Sequence, residues 1–250
     1  MKAMVLAAGL GTRLRPLTND RPKALVEISG RTLLDITLAR LRSFGIREVI
    51  LNVHHFADRV VDFLESHGNY GMRIEISREE ELLDTGGGLK KAAYFFLEGS
   101  TPPDEPFLLH NVDVISTIDV NRIVQRHKES GALAILAVQQ RETSRPLLFD
   151  NQLQLCGRGP DRDGKSEIVR SCSDSRPFAF SGIHVISPKL LTLLSEDGAF
   201  SIITSYLRLA AQGEKICAFP ADGYYWRDLG KLGHVQQVED ELKKRILELP

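Results

Sequence analysis

Short unbroken apolar runs alternate with apolar positions at helical spacing along the first 140 residues. Met4 to Ala8 is a continuous apolar run and reads as a buried strand. Thr32 to Phe44 carries Leu33, Leu34, Leu38, Leu41 and Phe44 at helical intervals. Val49 to Val53 is a second strand, and Val60 to Leu64 a second helical face. Arg73 to Ser77, Ala92 to Leu97, Phe107 to Leu109, Ile118 to His127 and Leu133 to Val138 continue the rhythm. Such βαβ alternation predicts an α/β fold, a mixed, mostly parallel sheet with helices on both faces. Ligands of these sheets bind beyond the carboxyl ends of the strands, so chemistry is expected in the loops that follow them.

The pattern then changes. Leu147 to Leu155 alternates around the turn residues Asp150 and Asn151, and Phe178 to Ser187 is a long strand. Together they predict an antiparallel β extension. Leu190 to Leu194, Ile202 to Ala211 and Val235 to Leu249 read as helices. In the last, Val235, Val238, Leu242, Ile246 and Leu249 form one stripe, read as core packing or a dimer seam. No repeat, low-complexity tract or linker divides the chain, which is expected to be one domain and a monomer or small homo-oligomer.

Composition excludes several functions. At 250 residues and 42% hydrophobic, the chain can bury a sizeable core. A net charge of -1 leaves no global basic field, so neither nucleic acid nor a membrane surface is an expected partner. Cys156, Cys172 and Cys217 are odd in number and lack metal-ligand spacing, which fits structural thiols in a reducing compartment. The apolar start MKAMVLAAG is too short for a signal peptide and no later run spans a bilayer, so a cytoplasmic location is expected.

Local charge is concentrated in LAAGLGTRLRPLTNDRPKAL, Leu6 to Leu25, where a strand enters a glycine loop carrying Arg13, Arg15, Arg21 and Lys23. The dinucleotide fingerprint fails here, because Leu14 stands where a third glycine is required. A Walker pattern does occur at Gly159 to Ser166, yet it carries two aspartates, follows no buried strand and precedes the strand-like Glu167-Ile168-Val169. It reads as a solvated loop. In the first loop, Gly9 and Gly11 let backbone N–H groups approach an anion, while Arg13 and Lys23 add full charges. A pyrophosphate bridge that stays intact needs little beyond backbone donors. A triphosphate being cut needs cationic clamps, so the cations point to bond breaking.

These residues resemble the G-x-G-T-R-x(6)-P-K signature of the sugar-phosphate nucleotidyltransferases, with Arg13 and Lys23 at its basic positions. The resemblance continues through LLDTGGGLKKA (82–92), FLLHNVDV (107–114), FSGIHVISP (180–188) and YWRDLGK (225–231). DTGGG is most similar to the N-acetylmuramate-1-phosphate uridylyltransferases, ahead of the mannose- and heptose-1-phosphate guanylyltransferases. The resemblance implies a Rossmann-like nucleotide-diphospho-sugar transferase fold, with residues 1–140 as the nucleotide half, 141–230 as the sugar-phosphate half and 231–250 as a C-terminal helix. The substrates implied are an NTP, UTP or GTP, and a sugar 1-phosphate. Its implied nucleotide contacts are Leu6, Ala7, Ala8, Gly9, Gly11, Thr12, Gly86, Gly87 and Asn111; Thr85, Ser181 and Gly182 match positions around the sugar phosphate.

Asp113 ends an apolar strand at a sheet's carboxyl edge, and Asp228 lies in a non-periodic segment. A helix cap and a turn are the ordinary roles for such residues. Two aspartates also suit Mg2+, which takes one or two carboxylates plus phosphate oxygens and water. The resemblance assigns both to the metal. In-line attack by a sugar phosphate needs no general base, so His54, His55 and His110 read as packing or sugar contacts. Glu79, Glu80 and Glu81 read equally as a base-reading edge or a solvated loop. Two departures from the family pattern stand out: Val112 replaces a glycine before Asp113, and Lys231 replaces a threonine after Gly230. Arg15 and Arg21 have no assigned role. No hexapeptide array follows, so a single activity is expected.

Overall fold

The computed structural model describes residues 1–98, 104–160 and 164–250. β1 (Lys2–Leu6) opens into the glycine–arginine loop, which contains helical turns at Thr12–Leu14 and Lys23–Leu25. A small hairpin, β2 (Glu27–Ile28) and β3 (Arg31–Thr32), leads into α1 (Leu33–Ser43), whose first turn is capped where the Thr32 hydroxyl accepts the Asp35 N–H at 3.1 Å. Next come β4 (Glu48–Val53), α2 (Ala57–Ser66), β5 (Arg73–Arg78), α3 (Asp84–Lys91) and α4 (Ala93–Leu97). They are followed by β6 (Phe107–Asn111), β7 (Val114–Ser116), α5 (Val120–Ser130) and β8 (Ala134–Gln139). The second half supplies β9 (Leu147–Phe149), β10 (Leu155–Arg158), β11 (Glu167–Ile168) and the long β12 (Arg176–Ile186). The chain ends with α6 (Lys189–Thr192), α7 (Ile202–Ala211), β13 (Ile216–Pro220), β14 (Trp226–Asp228) and α8 (Leu232–Lys243).

β1 lies between β4 and β6, parallel to both, with Leu6 opposite Asn52 on one side and Asn111 on the other. β5 continues the parallel set beyond β4. β12 then runs antiparallel against β6 and reaches both β8 and β9, so this one strand joins the parallel sheet to the antiparallel extension. The expected mostly parallel sheet flanked by helices is observed. Pleating divides the core: Ala3 and Val5 face the side covered by α1, α2, α5 and α8, and Met4 faces the side covered by α3, α4 and α7.

Three sequence expectations are revised. β1 ends at Leu6 rather than Ala8, because the Ala7 N–H leaves the ladder for the Asn52 side chain, 2.7 Å away. A further helix, α3, starts at Asp84 and takes in the three glycines ahead of the helical run read from Ala92. α8 stops at Lys243, because Arg245 takes a left-handed conformation (φ 56°) that turns Ile246 into solvent and buries Leu247 instead. Within the Walker-like segment, Asp161, Arg162 and Asp163 lie outside the described residues, and β11 follows it as a strand. Cys156, Cys172 and Cys217 are free thiols. No helix among the described residues is long and apolar enough to cross a membrane.

Candidate active site

The carboxyl ends of β1, β4 and β6 border a cavity of about 370 Å³. Leu6, Ala7, Ala8, Gly9, Lys23, Thr85, Asn111 and Asp113 line it, as do Asn52, Glu79, Leu82, Asp84 and Val112. Its position is the one sheet topology selects, and its size falls within the range of small-molecule sites.

A buried hydrogen-bond chain forms one wall. The Asn52 side-chain carbonyl accepts the Ala7 N–H at 2.7 Å, and its amide donates to Glu79 Oε1 at 2.7 Å. Glu79 Oε2 in turn accepts the Leu83 N–H at 3.0 Å. Glu79 is buried, while Glu80 and Glu81 are exposed, so the acidic run is neither uniformly solvated nor uniformly at the site. These bonds engage two of the backbone groups that border the cavity. Ala7 spends its amide on Asn52, and Leu6 its carbonyl on the Val112 N–H at 3.1 Å. Val112 itself packs into the core, and Lys231 precedes α8 at an exposed position.

Asp113 lies in the turn just before β7, and Asp228 ends β14, the strand that pairs with β7. β7 and β14 form an antiparallel ladder in which Asp228 faces Val114, and the Leu229 N–H donates to the Asp113 carbonyl at 2.8 Å. Asp113 and Asp228 therefore sit one residue apart across the ladder. α8 holds β14 in place: Arg227 donates to Glu241 at 2.8 Å, and His234 Nδ1 donates to the Asp228 carbonyl at 2.6 Å. Lys23 pairs with Asp113, and both side chains are only 13% exposed. Arg13 is exposed on its helical turn, and its guanidinium reaches within 2.8 Å of where a Gly230 side chain would begin, beside the Asp228 carboxylate. The loop, the β6 end and β14 thus converge two cations on two carboxylates.

Other expected residues lie elsewhere. Gly86 and Gly87 do not line the cavity; both amides donate to the Phe200 carbonyl, at 2.8 and 3.3 Å. A Cβ on Gly86 would stand 2.3 Å from the Phe200 ring, and one on Gly87 2.3 Å from the Gly198 carbonyl. These glycines admit a protein loop. Thr85 lines the cavity, but its hydroxyl accepts the Ile202 N–H at 3.0 Å. Ser181 is fully buried, its hydroxyl sealed from solvent and its carbonyl accepting Trp226 Nε1–H at 2.7 Å. Gly182 occupies φ 71° at the irregular pairing of β12 with β8, close against the Asn111 side chain. Gly11 and Thr12 lie on the loop outside the cavity lining. Arg15 is exposed, and Arg21 pairs with Asp20 and Glu27.

The profile of the nucleotidyl transferase family matches residues 2–146, more than half of the chain. The chain belongs to the nucleotidyl transferase family. An N-acetylmuramate alpha-1-phosphate uridylyltransferase of Caulobacter vibrioides is 35% identical to this nucleotidyltransferase over 91% of each chain. A mannose-1-phosphate guanyltransferase of Candida albicans is 30% identical over 92% of this chain, which spans 61% of that relative's length. Among solved structures, HddC from Yersinia pseudotuberculosis complexed with GMP-PN superposes with a TM-score of 0.76 at 21% identity, covering 96% of this chain and 99% of that one. A UDP-glucose pyrophosphorylase complexed with UDP-glucose gives 0.76 at 17% identity, covering 98% of both. At these identities the structural likeness is one of fold.

His110 and His184 are buried on opposite faces of the sheet. Desolvation pulls His110 down to about 4, helped by the Arg40 charge, and His184 down to about 3. His184 Nδ1 pairs with the Tyr206 hydroxyl at 2.8 Å. Both rings lie within the core as neutral packing groups.

Proposed function

We propose that this nucleotidyltransferase joins an NTP to a sugar 1-phosphate, forming a nucleoside-diphosphate sugar and pyrophosphate, and that its favoured pair is UTP with N-acetylmuramate 1-phosphate. The observation supporting the reaction is the convergence of Lys23 and Arg13 on Asp113 and Asp228 beside a cavity at the strand ends. An oxygen of the sugar phosphate attacks the α-phosphorus, and the bond to pyrophosphate breaks in line. Lys23, on the cavity wall, orients the phosphates, and Arg13 balances the charge that gathers on departing pyrophosphate. The attacking phosphate is already anionic, so the buried neutral histidines have no proton to remove. Leu6, Ala7, Ala8, Gly9 and Asn111 border the nucleoside, with Leu82 supplying apolar surface against the base.

Asp113 and Asp228 fit Mg2+. That ion takes few protein carboxylates and completes its shell with phosphate and water oxygens, and the pairing of β14 with the Asp113 segment brings two carboxylate residues side by side. Asp113 and Asp228 would hold the magnesium, which when bound would neutralise phosphate charge. The uridylyl and N-acetylmuramate preference is supported by the Caulobacter relative, which matches over nearly the full length of both chains. Guanylyl transfer to mannose 1-phosphate is the second reading, supported by the Candida relative. A matrix of NTPs against N-acetylmuramate, mannose, heptose, glucose and N-acetylglucosamine 1-phosphates, scored by pyrophosphate release, tests both. Turnover with UTP and N-acetylmuramate 1-phosphate is expected, abolished in Asp113→Ala; no turnover with any pair rejects the reaction.

A further inference from the structure

Lys23 and Arg13 serve the triphosphate in the reaction proposed above, and none of the three residues expected at the sugar phosphate is charged. Ser181 is sealed in the core, and the Thr85 hydroxyl, which accepts the Ile202 N–H, offers a phosphate at most one neutral donor. The doubly charged nucleophile still needs a cation beside the aspartates. Arg141, just after β8, is such a cation.

Its guanidinium lies 3.8 Å over the Trp226 ring and donates to the Phe180 carbonyl at 2.7 Å. Trp226 is pinned in turn by its bond to the Ser181 carbonyl, and Gly182 packs against Asn111 on the cavity wall. Residues 180–182 of β12 therefore link Arg141, outside the cavity lining, to Asn111 on its wall, and Trp226 stands two residues before Asp228 on β14. Arg141 is half-buried and makes no ion pair with any described carboxylate, although it lies within the field of Asp228. A guanidinium carries five N–H donors, of which the Phe180 carbonyl takes one and the buried Nε–H has no partner. Burying a charge unpaired is costly, and a planar fork matches the paired oxygens of a phosphate or a carboxylate; in the proposed reaction the acceptor's reacting group is a phosphate. Stacking on Trp226 fixes that fork's plane before a ligand arrives.

We propose that Arg141 clamps the phosphate of the incoming sugar 1-phosphate and aims one of its oxygens at the α-phosphorus; this rests on the reaction proposed above. The guanidinium stays protonated throughout. One P–O bond forms between the acceptor oxygen and the α-phosphorus, one breaks, and pyrophosphate leaves with the electron pair.

The test is steady-state kinetics of Arg141→Ala and Arg141→Lys with the pair the wild type uses. Losing a fork-shaped charged contact raises the acceptor KM about 10- to 100-fold, while the NTP KM stays within about twofold and Lys restores part of the loss. Inorganic phosphate, competitive with the acceptor, inhibits Arg141→Ala about tenfold less well. An unchanged acceptor KM, an equal rise in the NTP KM, or a higher acceptor KM with undiminished phosphate inhibition each overturns the assignment; the last places Arg141 against the sugar instead. Should Arg141→Ala fail to fold, Arg141→Gln, which keeps a planar head on Trp226, takes its place. A wild type that releases no pyrophosphate rejects the reaction itself. Arg141 is then decided by titrating the fluorescence of Trp226, the single tryptophan, with inorganic phosphate, a response expected in wild type and weakened about tenfold in the variant.

Discussion

Lys23 and Asp113, ninety residues apart, form an ion pair that ties the glycine–arginine loop to the end of β6. Both side chains are largely buried, so removing one partner leaves the other as an uncompensated charge, which in buried pairs costs about 3–5 kcal/mol. Lys23→Met is expected to lower stability by up to roughly that amount in magnesium-free buffer, and by clearly less in millimolar magnesium, where a cation on Asp113 restores the balance. Urea unfolding with and without magnesium measures this. An equal loss in both buffers counts against metal binding at Asp113.

The same pair separates catalysis from folding. Asp113→Asn keeps the shape of the side chain and removes its charge, so kcat is expected to fall about 10²- to 10³-fold. Chelation of the wild type should cause a comparable loss that magnesium reverses. Pyrophosphate release at saturating substrates reads both, and a metal-independent wild type contradicts the assignment.

Gly86 distinguishes packing from nucleotide approach. A methyl group there meets the Phe200 ring at 2.3 Å, and overpacking of this kind costs about 1–3 kcal/mol. Gly86→Ala should therefore destabilise the protein, and Phe200→Leu in the same chain should recover part of the loss by removing the ring edge. A double-mutant cycle by urea denaturation gives the coupling. A stable Gly86→Ala with a raised NTP KM would return the glycine to the nucleotide.

Much of this was legible in the sequence because the signals were local. Apolar periodicity placed most strands and helices of the parallel half, and the glycine–arginine loop carried the family signature. What escaped depended on distant partners. Asn52, inside the apolar run of β4, is a polar residue in a buried strand, which was the available sign of a hydrogen-bonded wall; its partner Glu79 was hidden in a run of three acids. DTGGG matched its family string, yet nothing in the string reveals that Phe200 fills the space beside it. The β2–β3 hairpin turns on Ser29-Gly30, both at positive φ, a turn signal too short to stand out beside α1. Nothing in the sequence around Arg141 shows that Trp226, far along the chain, lies beneath it.

The Asn52–Glu79 chain should couple stability to nucleotide affinity. Asn52→Ala leaves the Ala7 N–H and a Glu79 oxygen without partners, and each buried orphan costs about 1–3 kcal/mol. A chain of this length loses roughly 2–4 °C of Tm per kcal/mol. Because Ala7 borders the cavity, the NTP KM should rise while the acceptor KM holds. Thermal melts and kinetics of Asn52→Ala test this; a variant with a wild-type Tm would mean that water replaces the side chain at no cost.

Acid sensitivity follows from His110 and His184. In the folded protein they titrate at about 4 and about 3, well below the ordinary value near 6.5 that they regain on unfolding. Between those values the unfolded chain binds protons that the folded chain refuses, so stability rises with pH across the window and is lost as pH falls below about 6.5. Taking the chain from pH 7 to pH 5 should cost roughly 1–2 kcal/mol for each histidine. Urea denaturation at the two pH values measures the sum. His110→Gln removes one titrating group and should flatten the slope, with the remaining dependence carried by His184 beside Tyr206 and by His127, which burial also pulls down. An equally steep slope in that variant would mean that acid attacks the fold elsewhere, through carboxylates paired as Asp150 and Glu196 are with Arg170 and Arg208.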